Sequence, residues 1–338
     1  MPDSIKNLFE PVSVVSKVVA DGELASTDGR TNILLLGIDS RSAGSHVQGG
    51  TLTDTLMVVS IDSDGTRPVM VSIPRDLWIE EWSIKINSIY GIRRAYYRNV
   101  ESLSAEEAQE KAVEDVKKAA TSVVGIPIHY HAIVGFDAFK DAITAVDGIE
   151  ITVDEAFDDY EYPVEGMENA ANLEDRYQHI RFDAGRQVMD GETALQYARS
   201  RHSTNPNEAG DFARARRQQK VILALKDKVL SAETLFNPIK IKDLYDSYKT
   251  HVITNIELPE ALLFYDKYRK VELGEIGRIV ISNEPTNDQP GSGTVTSLSR
   301  EQWTERYGPD KQYQYVLTPV NRTFDQIRAI VREALFRD

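Results

Sequence analysis

The sequence predicts an α/β fold, a central sheet covered by helices on both faces, and three observations carry that prediction. Short runs rich in Leu, Ile and Val recur along the chain, each bounded by Gly, Asp or Pro, which is how buried strands present themselves. Between them lie longer segments whose apolar residues return at helical spacing. With 338 residues, 41% hydrophobic and 27% charged, the chain can bury the large core such a sheet needs.

Residues 1–30 are mostly polar, end in the turn-forming Thr27-Asp28-Gly29, and read as a lead-in segment, so the predicted domain runs from 31 to 338. Strands are expected at 32–38, 54–61 and 67–73, the last stopped by Pro74. A helix is expected to begin near Asn87. Another spans 104–123, where Ala108, Ala112, Val116, Ala119, Ala120 and Val123 share a face and Gly125-Ile126-Pro127 ends the run. A strand at 128–135, a helix near 137–146, the turn Asp147-Gly148 and a strand at 149–153 follow. The acidic stretch from 154 to about 188 shows no period and reads as surface loop. Helices are expected at 190–199 and 211–230, joined by a polar loop containing Asn205-Pro206-Asn207. Further elements fall at 257–270, 277–282, 313–317 and 323–336, and the Gly, Pro, Ser and Asn-rich stretch 283–297 is a candidate boundary followed by too little chain for a second domain.

Charge narrows the function classes. With 39 Lys and Arg against 53 Asp and Glu the formal charge is −14, which argues against a nucleic-acid partner or a general binder of anionic surfaces. Any anion site must be local. The absence of cysteine excludes disulfides, thiolate metal sites and a Cys nucleophile. Uninterrupted apolar runs such as Ile33 to Leu36 fall far short of the roughly 20 residues of a membrane helix. Met1 to Glu10 lacks the pattern of a signal peptide, so the chain reads as cytoplasmic or as part of something longer.

Three groups of residues carry candidate chemistry. Asp39 ends the first predicted strand and Asp54 starts the second, so antiparallel pairing brings the carboxylates together, as Mg²⁺ requires. Taken alone, the pair is better explained by the preference of Asp for strand ends and turns. In Val71-Ser72-Ile73-Pro74-Arg75-Asp76, Arg75 falls at a carboxyl strand end, where ligands of open α/β sheets sit, and its planar fork suits phosphate. A surface salt bridge with Asp76 is the competing account, and Lys85 is a third cation nearby. The strongest signal is Arg199-Ser200-Arg201 followed by Asp211 to Lys220. Asp211 reads as a helix cap, and Arg214, Arg217 and Gln218 share a face that Val221 and Leu225 continue into apolar packing. Arginines at the start of a helix oppose its dipole, so an anion is expected there. The rival is a solvated basic face. His129 and His131 lack a third ligand, and Trp78 and Trp82 suit either core or groove. The sequence contains no nucleophile elbow, zinc helix or glycine-rich phosphate loop.

In order along the chain, Asn32 to Arg41, Thr53 to Val58, Ser72 to Asp76, Lys85-Ile86-Asn87, Tyr130 to Phe136, Val146 to Val153, Asp190 to Arg201 and Asp211 to Gln218 resemble the LytR-CpsA-Psr family, most closely over 31–232. The resemblance implies a mixed sheet in an α/β/α fold and a deep apolar channel for a polyprenyl tail. It implies Asp39 and Asp54 as ligands of Mg²⁺, or of Mn²⁺ in its place, and Arg75, Arg199, Arg201, Arg214 and Gln218 around a pyrophosphate. Arg41, Lys85 and Arg217 complete the expected phosphate set, with Arg75, Asp76, Arg199 and Arg201 as the catalytic group. Where many members carry arginine two positions before the second aspartate, this chain has Leu52, in a lengthened loop 40–53.

The implied activity is transfer of a glycopolymer from polyprenyl pyrophosphate to a peptidoglycan sugar hydroxyl at the extracytoplasmic face of a bacterial membrane, with an anchor outside this chain. Hydrolysis of a polyprenyl or nucleotide pyrophosphate, and non-catalytic binding of lipid-linked glycans, are the rivals.

Overall fold

A computed structural model describes residues 22–38, 52–65, 67–167, 169–235, 251–268, 276–284 and 289–336, with positions 240, 243, 244 and 248. The strands are β1 (Arg30–Ile38), β2 (Thr53–Asp62), β3 (Val69–Ser72), β4 (Trp78–Ile79) and β5 (Ile84–Lys85), then β6 (Tyr130–Gly135) and β7 (Ile149–Val153). After them come β8 (Phe157–Pro163), β9 (Tyr177–Phe182), β10 (Gly185–Met189), β11 (Val252–Thr254), β12 (Gly277–Val280), β13 (Val295–Ser297) and β14 (Leu317–Pro319). The helices are α1 (Ile86–Asn99), α2 (Ala105–Val124), α3 (Phe136–Ala145), α4 (Gly191–Arg199) and α5 (Gly210–Val229), then α6 (Ala232–Leu235), α7 (Leu258–Tyr268), α8 (Arg300–Tyr307) and α9 (Asp325–Phe336).

Six strands form the central sheet in the order β11-β6-β1-β2-β3-β12. It is mixed: β1 runs parallel to β6 and antiparallel to β2, and β3 runs parallel to β12. Alternation along each strand divides the side chains. Leu34, Leu36, Leu56, Val58 and Val71 face one layer of helix, packed with Ile89, Val116, Val123 and Val331 of α1, α2 and α9. Met57 and Met70 face the other way, against Leu223 of α5. Helices therefore cover both faces, as expected. Local signals set the ends: Ser104 accepts the Glu107 N–H while its own N–H donates to the Glu107 carboxylate, and this capping box starts α2.

The expectation of a loop over 154 to about 188 is corrected. β8 and β9 form an antiparallel hairpin and β10 pairs with β7. The segment folds because Phe157, Tyr162, Ile180, Phe182 and Met189 bury a second core with Tyr197 and Val221, while its acidic residues mostly face solvent. The stretch 283–297 also carries structure: the Val280 N–H donates to the Pro290 carbonyl at 3.2 Å, and β13 pairs with β14.

α4 approaches α3 through Gly191, where a Cβ would lie 2.9 Å from the Lys140 Cα and closer still to its carbonyl oxygen. Overpacking against backbone has no cheap relief. Gly191→Ala is expected to destabilise the protein by about 1–3 kcal/mol, read as a lower thermal midpoint.

Candidate active site

The carboxyl ends of β1, β3, β6 and β12 all open on one edge of the sheet, and the site is built there. At that edge the β1 and β2 register slips: Gly37 pairs with Thr55 but Ile38 pairs with Thr53, so Asp54 is the extra residue of a bulge. A bulge re-aims the side chain it carries, here into the cleft. Gly37 is required opposite it, because a Cβ there would lie 2.8 Å from the Thr55 Cβ. Asp39 and Arg41 lie outside the described residues.

Pro74 follows β3 and turns the chain, the Leu77 N–H donating to the Pro74 carbonyl at 3.1 Å. This places Arg75 between three carboxylates: Nη1 donates to Asp54 Oδ1 at 2.9 Å, and Nε lies 3.3 Å from Asp211 and 3.5 Å from Asp76. Burial works against its charge, but Asp54, Asp211 and Asp76 outweigh burial and hold its pKa above the ordinary value. Lys85, at the start of α1, donates to Asp76 Oδ1 at 2.6 Å, so Asp76 bridges two cations.

The third group arrives on α4 and α5. Asp211 is not the cap expected from sequence: α5 begins at Gly210 with Ala209 as cap residue and no capping side chain. Its carboxylate instead lies 3.3 Å from Arg214, 3.8 Å from Arg201 and 3.3 Å from Arg75. Burial would raise its pKa, but Arg214, Arg75 and Arg201 hold it below the ordinary carboxylate value. Arg214 is buried, which pushes its guanidinium down to about 10, still charged at neutral pH, and its Nη2 donates to the Asp54 carbonyl at 3.1 Å. Arg199, Arg201, Arg214 and Gln218 line one cleft of about 540 Å³ with Asp54 and Gly37. Arg199 stacks 4.1 Å over the Phe136 ring and donates to the Tyr162 hydroxyl at 3.3 Å. A contiguous pocket sharing Asp54, Arg214 and Gln218 is floored by Leu56, Ile73, Phe212, Val280 and Ile281.

Arg217 does not join them, and its expected phosphate contact is corrected. It is 1% exposed and spends its donors on the Tyr197 carbonyl, the Ser200 carbonyl, and the Glu208 carbonyl and carboxylate. That role is structural: it ties the loop before α5 to the end of α4. Trp78 is likewise core, 5.2 Å edge-on from Trp303. His129 Nδ1 accepts the Asn32 N–H at 3.0 Å, and burial pushes His131 down to about 4, so neither presents a cation.

The residue that sequence reasoning missed is Asp159. It points inward from β8 and accepts from the Ser200 hydroxyl at 2.6 Å, the Arg201 and His202 N–H groups at 3.2 Å, and the Glu161 N–H at 2.9 Å. It thereby fixes the segment that carries Arg201 as the chain leaves α4. Burial would raise its pKa, but these four donors hold it below the ordinary value. A period-2 reading of Phe157-Asp158-Asp159 was the available signal, hidden by a carboxylate at an inward position.

Among the described residues, Arg75, Lys85, Arg199, Arg201 and Arg214 face Asp54, Asp76 and Asp211, a surplus of two positive charges. Arg75 Nε, Arg214 Nε and Asp211 Oδ1 are buried without a hydrogen-bond partner, which is uncommon unless a ligand completes them. The site suits a dianionic or more highly charged phosphate group. Arg75 occupies Asp54 Oδ1 and leaves Oδ2, an oxygen donor of the kind Mg²⁺ takes. No group of three or more His, Asp or Glu among the described residues makes a metal site alone, so such an ion would draw on substrate oxygens as well.

A sheet-edge cleft of arginines and aspartates over an apolar floor is the kind of site at which α/β proteins bind phosphate esters. Residues 7–306 match the LytR_cpsA_psr family, and the chain belongs to it. It is 35% identical to the cell wall biosynthesis protein LcpA of Corynebacterium glutamicum, covering 70% of this chain and 46% of that one. It is 31% identical to the polyisoprenyl-teichoic acid–peptidoglycan teichoic acid transferase TagV of Bacillus subtilis, covering 70% and 52%. The chain thus spans about half the length of these relatives. The crystal structure of B. subtilis TagV shares the fold, with a TM-score of 0.59 at 24% identity over 92% of this chain and 98% of that one. So does TagT bound to LIIa-WTA, with a TM-score of 0.55 at 18% identity over 93% and 94%.

Two outcomes test this geometry. Arg217→Met is expected to cost about 3–5 kcal/mol because Glu208 loses its buried partner, whereas Arg201→Ala costs under about 1 kcal/mol and weakens inorganic pyrophosphate binding by calorimetry. Asp159 is ionised more readily in the folded protein, so its contribution is complete above the unfolded carboxylate pKa and is lost as pH falls below about 4. Asp159→Asn is therefore expected to lower the thermal midpoint at pH 7 and to narrow the gap to wild type as the pH is taken toward 3.

Proposed function

We propose that this protein transfers a glycopolymer from a polyprenyl-pyrophosphate carrier to a peptidoglycan sugar hydroxyl. The observation that carries the reading is the convergence of cations from three separated stretches beside Asp54: Arg199, Arg201 and Arg214 line one cleft with it, Arg75 lines the adjoining pocket, and Lys85 holds Asp76 next to Arg75. Its apolar neighbour, floored by Leu56, Ile73 and Phe212, suits the first isoprene units behind a pyrophosphate. Similarity to LcpA, a cell wall biosynthesis protein, and to TagV, a polyisoprenyl-teichoic acid–peptidoglycan teichoic acid transferase, supports the same direction.

In this reading Arg199, Arg201 and Arg214 hold the phosphate that bears the glycan, and Arg75 holds the phosphate that leaves with the lipid. The acceptor oxygen bonds to the glycan-bearing phosphorus, the bond from that phosphorus to the bridging oxygen breaks, and polyprenyl phosphate departs with the electron pair. Phosphoryl transfer depends chiefly on positioning and on neutralising the spread charge, which rigid arginines already held by carboxylates provide without reorganisation. Asp76, with Lys85 on one oxygen and Arg75 beside the other, serves to hold those cations. Mg²⁺, held by Asp54 with Asp39, would neutralise further phosphate charge when bound. In this reading the working location is the extracytoplasmic membrane surface.

Arg75→Ala and Arg199→Ala are each expected to lower transfer from a polyprenyl-pyrophosphate-linked glycan to peptidoglycan fragments by at least about 100-fold with an unchanged far-UV spectrum, and EDTA to do the same reversibly. Full transfer in both variants would remove the assignment. Phosphate release that needs no peptidoglycan would mark a pyrophosphate hydrolase, and tight donor binding without turnover a binding module.

A further inference from the structure

The transfer reaction needs a base for the acceptor hydroxyl, and the three described carboxylates of the cleft are poorly placed to be one. Asp54 accepts from Arg75, Asp76 lies between Lys85 and Arg75, and Asp211 is surrounded by Arg75, Arg201 and Arg214. All three are thus engaged by cations before a substrate hydroxyl arrives. One further titratable side chain lines the same cleft, His202, directly after Arg201. No lysine or arginine pairs with it among the described contacts. Its Nδ1 lies 3.6 Å from Glu161 Oε2.

The backbone makes this pair deliberate. The buried Asp159 carboxylate takes the Glu161 N–H on Oδ1 at 2.9 Å and the His202 N–H on Oδ2 at 3.2 Å. One carboxylate, 1% exposed, thus sets the spacing of both partners across β8 and the segment leaving α4. A carboxylate beside one imidazole nitrogen favours the tautomer that carries its proton on that nitrogen, leaving the other as the acceptor, and stabilises the cation once a proton is taken.

We propose that His202 is the general base of the transfer, with Glu161 orienting its ring. The inference rests on the function proposed above and assigns the proton it leaves open. His202 Nε2 takes the proton of the acceptor hydroxyl as the oxygen bonds to the glycan-bearing phosphorus. The bond to the bridging oxygen breaks, polyprenyl phosphate leaves with that electron pair, and the imidazolium returns its proton to water. The charged groups facing the ring's surroundings are Glu161 on β8, Arg199 and Arg201 at the end of α4, Arg214 on α5 and Asp54 on β2.

The test follows transfer from a short-chain polyprenyl-pyrophosphate disaccharide to soluble peptidoglycan fragments across pH 5–9, with geranyl pyrophosphate binding measured separately by calorimetry. Wild-type kcat is expected to rise with pH along an acid limb and level off. His202→Gln is expected to lose about 100-fold in kcat and that limb, with geranyl pyrophosphate affinity and thermal midpoint within twofold and a few degrees of wild type. Glu161→Gln, on an exposed position, is expected to lower kcat by about fivefold with KM and geranyl pyrophosphate affinity unchanged, since the ring loses the group that orients it. Wild-type rate and an unchanged limb in His202→Gln would overturn the base assignment while transfer by wild type still supported the function. Absence of transfer by wild type itself would overturn both.

Discussion

Asp211 is the interaction on which the site depends. Three guanidinium groups approach it from different parts of the chain, Arg75 after β3, Arg201 after α4 and Arg214 one turn along α5. Without it, like charges would be forced together at the amino end of a helix whose dipole already disfavours cations. A single carboxylate in the first turn resolves both conflicts: it complements the dipole and gives the arginines a common partner. It also leaves them under-neutralised, which is what an anion site requires.

Around that centre the fold spends two further buried charges on geometry. Arg217 ties Tyr197, Ser200 and Glu208 to α5 from below, and Asp159 ties Ser200, Arg201 and His202 to the β8–β9 hairpin from the side. Both are fully satisfied, and removing one partner of such a pair costs far more than the pair gains. The segment 200–202 therefore has little freedom, although it lies between elements. Arg201 and His202 are presented on a loop with the precision of a strand.

Much of this was legible in the sequence. Strands β1 to β3 and helices α2 and α5 announce themselves by period, whereas the meeting of Arg75 with Arg201 and Arg214 is implied only by the family resemblance, since spacing within each stretch says nothing of how the stretches come together. What failed did so for identifiable reasons. Arg217 was grouped with Arg214 because three residues return about 300° around a helix, yet the remaining 60° or so is enough to turn one side chain into the cleft and the other under it. Asp211 looks like a cap because an acid before a helical run usually is one; here Gly210 and Ala209 precede it and the arginines claim its oxygens. The β8–β9 hairpin was hidden because Asp159, an inward residue, breaks the alternation of apolar and polar positions that marks a half-buried strand. Only the tertiary partners of Asp159, 41 to 43 residues downstream, make that burial tolerable.

That last point bears on how the site works. A polar residue that violates the local pattern needs a compensating network, and the network here ends on the side chains that face the ligand. The same logic explains the bulge at Asp54, where the ladder is interrupted and the carboxylate is aimed at Arg75. Both of these departures from regular structure lie at the cleft, whereas the opposite face of the sheet keeps the apolar pattern through Leu34, Leu36, Val58 and Val71, packed by α1, α2 and α9. The regular face supplies stability, and the irregular edge places charge where a phosphate can replace the water that the arginines lose on burial.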